Sequence, residues 1–295
     1  MTKVLITGAK GFIGSALLEY LKLSDQFEVF TTDKDSGQTI NYRADLKDEK
    51  SLEFIVDLAP QVIVHLAAQS SVPNSLSNPI EDLTVNALGT LNLVRTAISA
   101  DVQNFIYVNS GGAIYGSKNL LPLRESSAEY PESPYAISKL TGEFITRHFA
   151  SAANMGWSSL ALSNCYGSVD VNFKGVIYEF HKCLINKVQP EIFGSQVTRD
   201  FIYIDDVLEA IKLAILKPVN CRVHISSGSE TSLVQLYENI CQILQVEVVP
   251  IIGPPIIGQV LNSCLDNGLA LELLGWKPRT TLDKGLRLSL LGYRD

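Results

Sequence analysis

Paired cysteines are missing from this chain of 295 residues. Its five, Cys165, Cys183, Cys221, Cys241 and Cys264, show neither a C-x-x-C step nor metal-ligand spacing. That excludes a disulfide framework and a zinc module, and predicts reduced, mostly buried thiols in the cytoplasm. The four histidines, His65, His148, His181 and His224, form no H-x-x-x-H group. Each reads as a packing or helix-surface residue, and no metal site is expected. Apolar stretches are broken by Pro, Gly or charge within a few residues, which excludes a membrane span. Basic excess is absent too: 24 Lys and Arg against 31 Asp and Glu leave a net charge of -7. With both signs interspersed, nucleic acid is not expected as the main partner. No internal repeat or low-complexity tract is visible, and "KVLITG" from residue 3 reads as a strand already in use rather than a leader.

What is present is a strand–helix rhythm. "KVLIT" (3–7), "FEVFTT" (27–32), "QVIVHLAA" (61–68), "NFIYVNS" (104–110) and "WSSLALSN" (157–164) read as strands buried on both faces. Helical patterns lie between them near 12–23, 46–58, 79–100 and 135–153. Such repetition predicts an α/β fold with a parallel, doubly wound sheet, its ligand beyond the C-terminal strand ends. After about residue 165 the rhythm loosens. Residues 199–228 look like further sheet material, while 166–198 and 229–295, with the Pro/Gly-rich "PIIGPPIIG", read as a smaller C-terminal lobe that closes over the crevice.

"TGAKGFIG" sets Gly8, Gly11 and Gly14 between the first strand and the first helix. Gly8 suits the tight turn, Gly11 lets backbone N–H groups approach a pyrophosphate, and Gly14 lets helix pack on strand. The second strand then ends at Asp33, whose carboxylate can accept from the adenosine ribose hydroxyls and repels a 2′-phosphate. That predicts a Rossmann-type domain over 1–165 binding NAD rather than NADP. Asp45 and Leu46 stand where an adenine contact is expected, although a helix N-cap explains Asp45 almost as well.

Two Tyr/Lys pairs share the four-residue spacing of helix neighbours: Tyr135 with Lys139, and Tyr178 with Lys182. Spacing alone does not separate a reactive pair from two amphipathic side chains on one face.

The ordered set "TGAKGFIG", Asp33, "HLAA" (65–68), "VNALGTLNL" (85–93), "AIYG" (113–116), "SPYAISK" (133–139), "RDFIYIDDV" (199–207) and "LGWKP" (274–278) resembles the extended short-chain dehydrogenase/reductases, specifically the NAD-dependent sugar-nucleotide epimerases and dehydratases. The resemblance implies that Tyr135 and Lys139 are the catalytic pair, with Tyr178 and Lys182 in the substrate lobe. It implies NAD contacts from Phe12, Ile13, Leu66, Ala67, Ala68 and Asn86 besides the glycines and Asp33. It also implies substrate contacts from Asn164, Phe193 and Arg199, and a homodimer formed through helices 79–100 and 135–153. Tyrosine has a pKa near 10, and lowering it by about three pH units takes about 4 kcal/mol. An ammonium about 5 Å away contributes on the order of 3 kcal/mol, so Lys139 is expected to bring the Tyr135 phenol down.

The chain departs from the family pattern in three places. Where relatives carry a Ser or Thr four residues before the "YG" tyrosine there is Gly111, so Ser110 is a candidate substitute or an ordinary strand-end serine. Gly112 and Ala113 supply none of the acids that dehydratases and decarboxylases place there. The second diphosphate arginine falls at Ile256. The resemblance therefore implies an epimerase of a nucleotide-linked hexose acting at C4. The alternatives are an NAD(P)H-dependent reductase of a 4-keto-6-deoxy sugar nucleotide and a non-catalytic dinucleotide-binding relative.

Overall fold

The computed structural model describes residues 1–168, 175–256 and 258–291; residues 169–174, 257 and 292–295 of the expected C-terminal lobe lie outside it. Six strands in chain order, β1 (Thr2–Thr7), β2 (Phe27–Asp33), β3 (Tyr42–Arg43), β4 (Val62–His65), β5 (Asn104–Ser110) and β6 (Gly156–Leu162), are joined by an edge strand, Arg222–Ile225. All pair in parallel, in the order β3-β2-β1-β4-β5-β6-edge. The order reverses between β1 and β4, which opens the crevice of a Rossmann-type sheet there.

Strand alternation explains the layering. Val4 and Ile6 of β1 join one core with Leu17, Leu18 and Leu21 of the helix Phe12–Lys22 and Val207 and Ile211 of the helix Ile204–Leu216. Leu5 points the other way, into a core with Ile63, Phe105 and Tyr107 and the helical residues Leu93, Val94 and Ala97. Both faces are covered, so the strands read as apolar runs.

Three expectations change. Residues 46–58 do not form one helix: a 3₁₀ turn, Glu49–Leu52, precedes a short helix, Phe54–Leu58. Local side-chain bonds hold the chain in turns instead. The Asp45 carboxylate takes the Lys47 N–H at 3.0 Å, and Ser51 Oγ donates to the Asp45 and Asp48 carbonyls, both at 2.7 Å. Asp48, not Asp45, caps the 3₁₀ turn, accepting from the Lys50 N–H. Strand β4, expected over 61–68, stops at His65, leaving Leu66, Ala67 and Ala68 as the loop at the crevice. Within 199–228 only Arg222–Ile225 extends the main sheet; the strand Thr198–Tyr203 lies in a separate three-stranded sheet between Asn164–Tyr166 and Glu230–Ser232. A short helix absent from the sequence reading, Val72–Ser77, is set by its Ser71 cap and Pro73.

Candidate active site

At the mouth of the crevice the glycine loop is built for close approach. Gly8 has φ +67°, and a Cβ there would lie 2.6 Å from the Ala67 backbone, so β1 and the β4 loop meet only because this residue is glycine. A Cβ at Gly14 would run into the Gly8 carbonyl, which is the helix-on-strand packing the motif requires. The helix beginning at Phe12 and Ile13 has Gly11 at its N-cap and no side-chain cap, so its dipole and first-turn N–H groups face the crevice. Asp33, at the end of β2, accepts from the Lys10 N–H at 3.1 Å and the Asp35 N–H at 3.2 Å, which ties the carboxylate to the glycine loop. Leu46 is buried, and its carbonyl accepts from Asn92 Nδ2 at 2.9 Å.

Asn86 sits on a π-helical turn, Thr84–Leu88, a distortion that recurs at functional sites. It accepts from the Gln69 N–H at 2.8 Å and donates to the Gln69 carbonyl at 2.9 Å and to Ser138 Oγ at 3.0 Å. Between Asn86 and the loop lies His65, fully buried, with Thr7 Oγ1 2.9 Å from Nδ1 and Thr90 Oγ1 2.9 Å from Nε2. Thr90 already donates to the Asn86 carbonyl, and Thr7 already accepts from the Ala67 N–H, so the ring must donate through Nε2 and accept through Nδ1. Burial, aided by the Lys139 charge, pushes His65 down to about 3 and keeps it neutral.

The helix Pro134–Ala152 carries Tyr135 and Lys139. Ser133 caps it, accepting the Ala136 N–H at 3.2 Å, and Pro134 fits the first turn. That start sets Tyr135, Lys139 and Glu143 on one inward face. Ser110, at the C-terminal end of β5, stands near enough to Tyr135 to favour its ionised form. Burial raises the Tyr135 phenol above its ordinary value of 10 despite the lowering effect of Ser110, and the Asp82 carboxylate adds to the rise. The expected depression of the phenol is therefore not produced by the protein groups. Lys139 is itself pushed down to about 7 by burial, so it is only partly charged near neutrality. Its Nζ lies 4.3 Å from the Tyr107 ring centroid, with no ion pair or hydrogen bond of its own among the described residues. That orphaned donor fits a ligand hydroxyl, and the glycine cradle fits a dinucleotide. By contrast, Lys182 is exposed, 5.9 Å from the Tyr178 ring, and the second pair is a surface arrangement.

Gly111 has a cause. A Cβ there would lie 2.5 Å from Leu265 Cδ1 and 3.1 Å from the Ala161 carbonyl, so Leu265 fills the space a serine would need. Gly112 instead faces Asn164 Oδ1 and Ser263 Oγ, which would lie 3.4 and 3.6 Å from an added Cβ. The Ser263 hydroxyl is buried with no partner among the described residues. Arg199 donates to the Thr198 carbonyl at 2.7 Å and the Leu261 carbonyl at 3.3 Å, faces no carboxylate among the described residues, and is pushed down to about 10 by burial. Phe193 is half-exposed on the strand Glu191–Phe193, and Ile256 is exposed.

Sequence reasoning passed over a buried ionic network behind the pair. Glu143 receives Arg222 through Nε at 2.8 Å and Nη2 at 2.5 Å, together with Asn109 Nδ2 at 2.6 Å and Ser159 Oγ at 2.5 Å. Arg222 also donates to Tyr115 Oη at 3.1 Å, and Tyr115 bonds His224 Nε2 at 2.7 Å. The only local signal was Glu143 eight residues after Tyr135.

The sequence profile of the NAD dependent epimerase/dehydratase family matches residues 4–225. The chain belongs to this family. It is 33% identical over 293 residues to a UDP-glucose 4-epimerase of Mycolicibacterium smegmatis, covering 94% of each chain. The crystal structure of a Thermotoga maritima UDP-glucose 4-epimerase with UDP-glucose superposes with TM-score 0.93 at 33% identity, covering 98% of both chains. A GDP-6-deoxy-D-mannose reductase of Pseudomonas aeruginosa is 27% identical over 293 residues, covering 95% of this chain and 93% of its own. The family member described here is thus an NAD-dependent enzyme with sugar-nucleotide epimerase or reductase activity. Among the described residues no helix is long and apolar enough to cross a membrane.

Proposed function

We propose that the protein is a 4-epimerase of a nucleotide-linked hexose, with Tyr135 as the acid/base. The observation that carries this is the placement of Ser110, at the C-terminal end of β5, beside Tyr135, with a buried Lys139 Nζ unpaired among the described residues one turn along the same helix. Ser110 supplies the hydroxyl that Gly111 lacks, orienting the sugar oxygen and the phenol toward each other. Bound NAD supplies a hydride acceptor and a positive ring. Tyr135 takes the proton from the C4 hydroxyl and returns it after the sugar has turned. Lys139 holds the nicotinamide ribose with its free ammonium and stabilises the phenolate. Gly112 and Ala113 offer no acid to expel water, which favours epimerisation over elimination.

The lobe built from 166–198 and 229–295, with Asn164 and Arg199 at its borders, is assigned the rest of the substrate. The uncompensated Arg199 suits the diphosphate, Asn164 and Ser263 the sugar side of Gly112, and Phe193 the base. Exposed apolar residues on the outer faces of two helical segments, Ile80, Leu83 and Leu88 with Ile137 and Phe144, support a homodimer through these helices. Their inner faces, with Leu93, Val94 and Leu140, are already buried.

The test begins with acid release of any bound small molecule and its mass. Retained NAD, with interconversion of UDP-hexoses in a substrate panel, supports the epimerase. Stoichiometric consumption of NADH or NADPH with a 4-keto-6-deoxy sugar nucleotide gives the reductase instead, the reading favoured by the reductase relative. Tyr135→Phe should keep cofactor and lose turnover; full activity in that variant removes the mechanism.

A further inference from the structure

Asp82, on the helix Pro79–Leu83, is completely buried beside the reactive pair. Every donor that reaches it is neutral: Gln69 Nε2 at 2.6 Å and Asn86 Nδ2 at 3.4 Å on Oδ1, and Ser138 Oγ at 2.5 Å on Oδ2. No cation stands within ion-pair distance of it among the described residues. Lys139 is its mirror image, a buried ammonium over the Tyr107 ring with no ion pair among the described residues. Glu143, the other acid near Lys139, is already engaged by Arg222. A lone buried charge is costly unless an opposite one lies close by. Ser138 connects the two: its hydroxyl bonds Asp82 and the Tyr135 carbonyl, and it precedes Lys139 in the chain.

We propose that Asp82 is the buried counter-ion of the reactive pair, a positioning residue that keeps Lys139 an ammonium and, through Ser138, fixes the turn carrying Tyr135. The word reactive rests on the function proposed above; the counter-ion relation does not. Lys139 is faced by Glu143 from its own helix, by Tyr107 from β5, by neutral His65 from β4 and by Asp82 from the neighbouring helix. Against burial, Asp82 is the foremost group holding its charge, followed by Glu143. The same carboxylate disfavours the Tyr135 phenolate, so Asp82 favours a charged lysine beside a protonated tyrosine.

The test is an NMR titration of the full-length protein, with its cofactor, carrying [13Cε]lysine, the Lys139 signal assigned by its loss in Lys139→Met. In Asp82→Asn, which keeps an acceptor for Gln69, the Lys139 midpoint should fall by about one pH unit. In Ser138→Ala, which removes a hydrogen bond but no charge, it should stay within a few tenths. Asp82→Ser serves if the Asn variant does not fold. An unmoved midpoint in the neutral variants, or equal shifts in Asp82→Asn and Ser138→Ala, overturns the proposal. Turnover by Tyr135→Phe is scored separately, so failure of the epimerase reading leaves this result standing.

Discussion

Replacing Lys139 by methionine should make the protein more stable while disabling it. Burial brings the ammonium from 10.5 to about 7, net of the support from Asp82 and Glu143. A displacement of that size corresponds to at most about 5 kcal/mol held against the folded state when the lysine is charged. Relaxation and water penetration reduce such figures, and about 1–3 kcal/mol is the expected gain for Lys139→Met at pH 7. Methionine has similar reach and keeps contact with the Tyr107 ring. For a chain of 295 residues that gain raises Tm by roughly 2–5 °C. The sign of the pH dependence follows from linkage. Between about 7 and 10.5 the unfolded lysine binds more protons than the folded one, so this site favours folding increasingly as pH rises. The advantage of the methionine variant should therefore be largest below pH 7 and shrink steadily toward pH 9.5. Thermal unfolding of both proteins, stripped of cofactor, across pH 6–9.5 measures it. A variant less stable at pH 6, or a gap that does not narrow, refutes the reasoning.

Other outcomes follow from the same geometry. Gly111→Ser should not improve activity and should cost about 1–3 kcal/mol, because the new side chain meets Leu265; combined with Leu265→Ala, the total loss in a denaturant titration should be smaller than the sum of the two single losses. Ser110→Ala should lower kcat by about 10²-fold with cofactor binding unchanged, by analogy with the loss of one transition-state hydrogen bond. Glu143→Gln should destabilise the fold by about 1–3 kcal/mol, since it removes the buried carboxylate of Arg222 and leaves the guanidinium only its pair with Glu129 at 2.7 Å. For His65, whose value falls from 6.5 to about 3, the unfolded ring binds more protons in that window. Its contribution is complete above pH 6.5 and is lost as pH falls toward 3, and 15N NMR should find the neutral Nε2–H ring still present at pH 5.

Legibility followed the range of the interactions. The glycine loop, Asp33 and the Tyr135–Lys139 spacing are local patterns, and the strand–helix alternation read correctly for every strand of the sheet from β1 to β6 except the two-residue β3. Residues 46–58 misled because their apolar spacing suits a helix while Asp45, Asp48 and Ser51 draw the backbone into turns. Gly111 looked like a defect because its cause, Leu265, lies far along the chain. The charge states around Lys139 were hidden for the same reason, since Asp82 arrives from another helix and Arg222 from the edge strand.

The pairing of Glu143 with Arg222 has a consequence for how the chain is made. The helix that carries Tyr135 and Lys139 is complete by residue 152, yet its buried carboxylate waits for a guanidinium seventy-nine residues further along. Until the edge strand Arg222–Ile225 is synthesised and docked on β6, Glu143 lacks its guanidinium partner. A nascent chain ending near residue 165 therefore holds Tyr135 and Lys139 in a helix whose buried acid still lacks its arginine, and the last strand to join the main sheet is the one that supplies it.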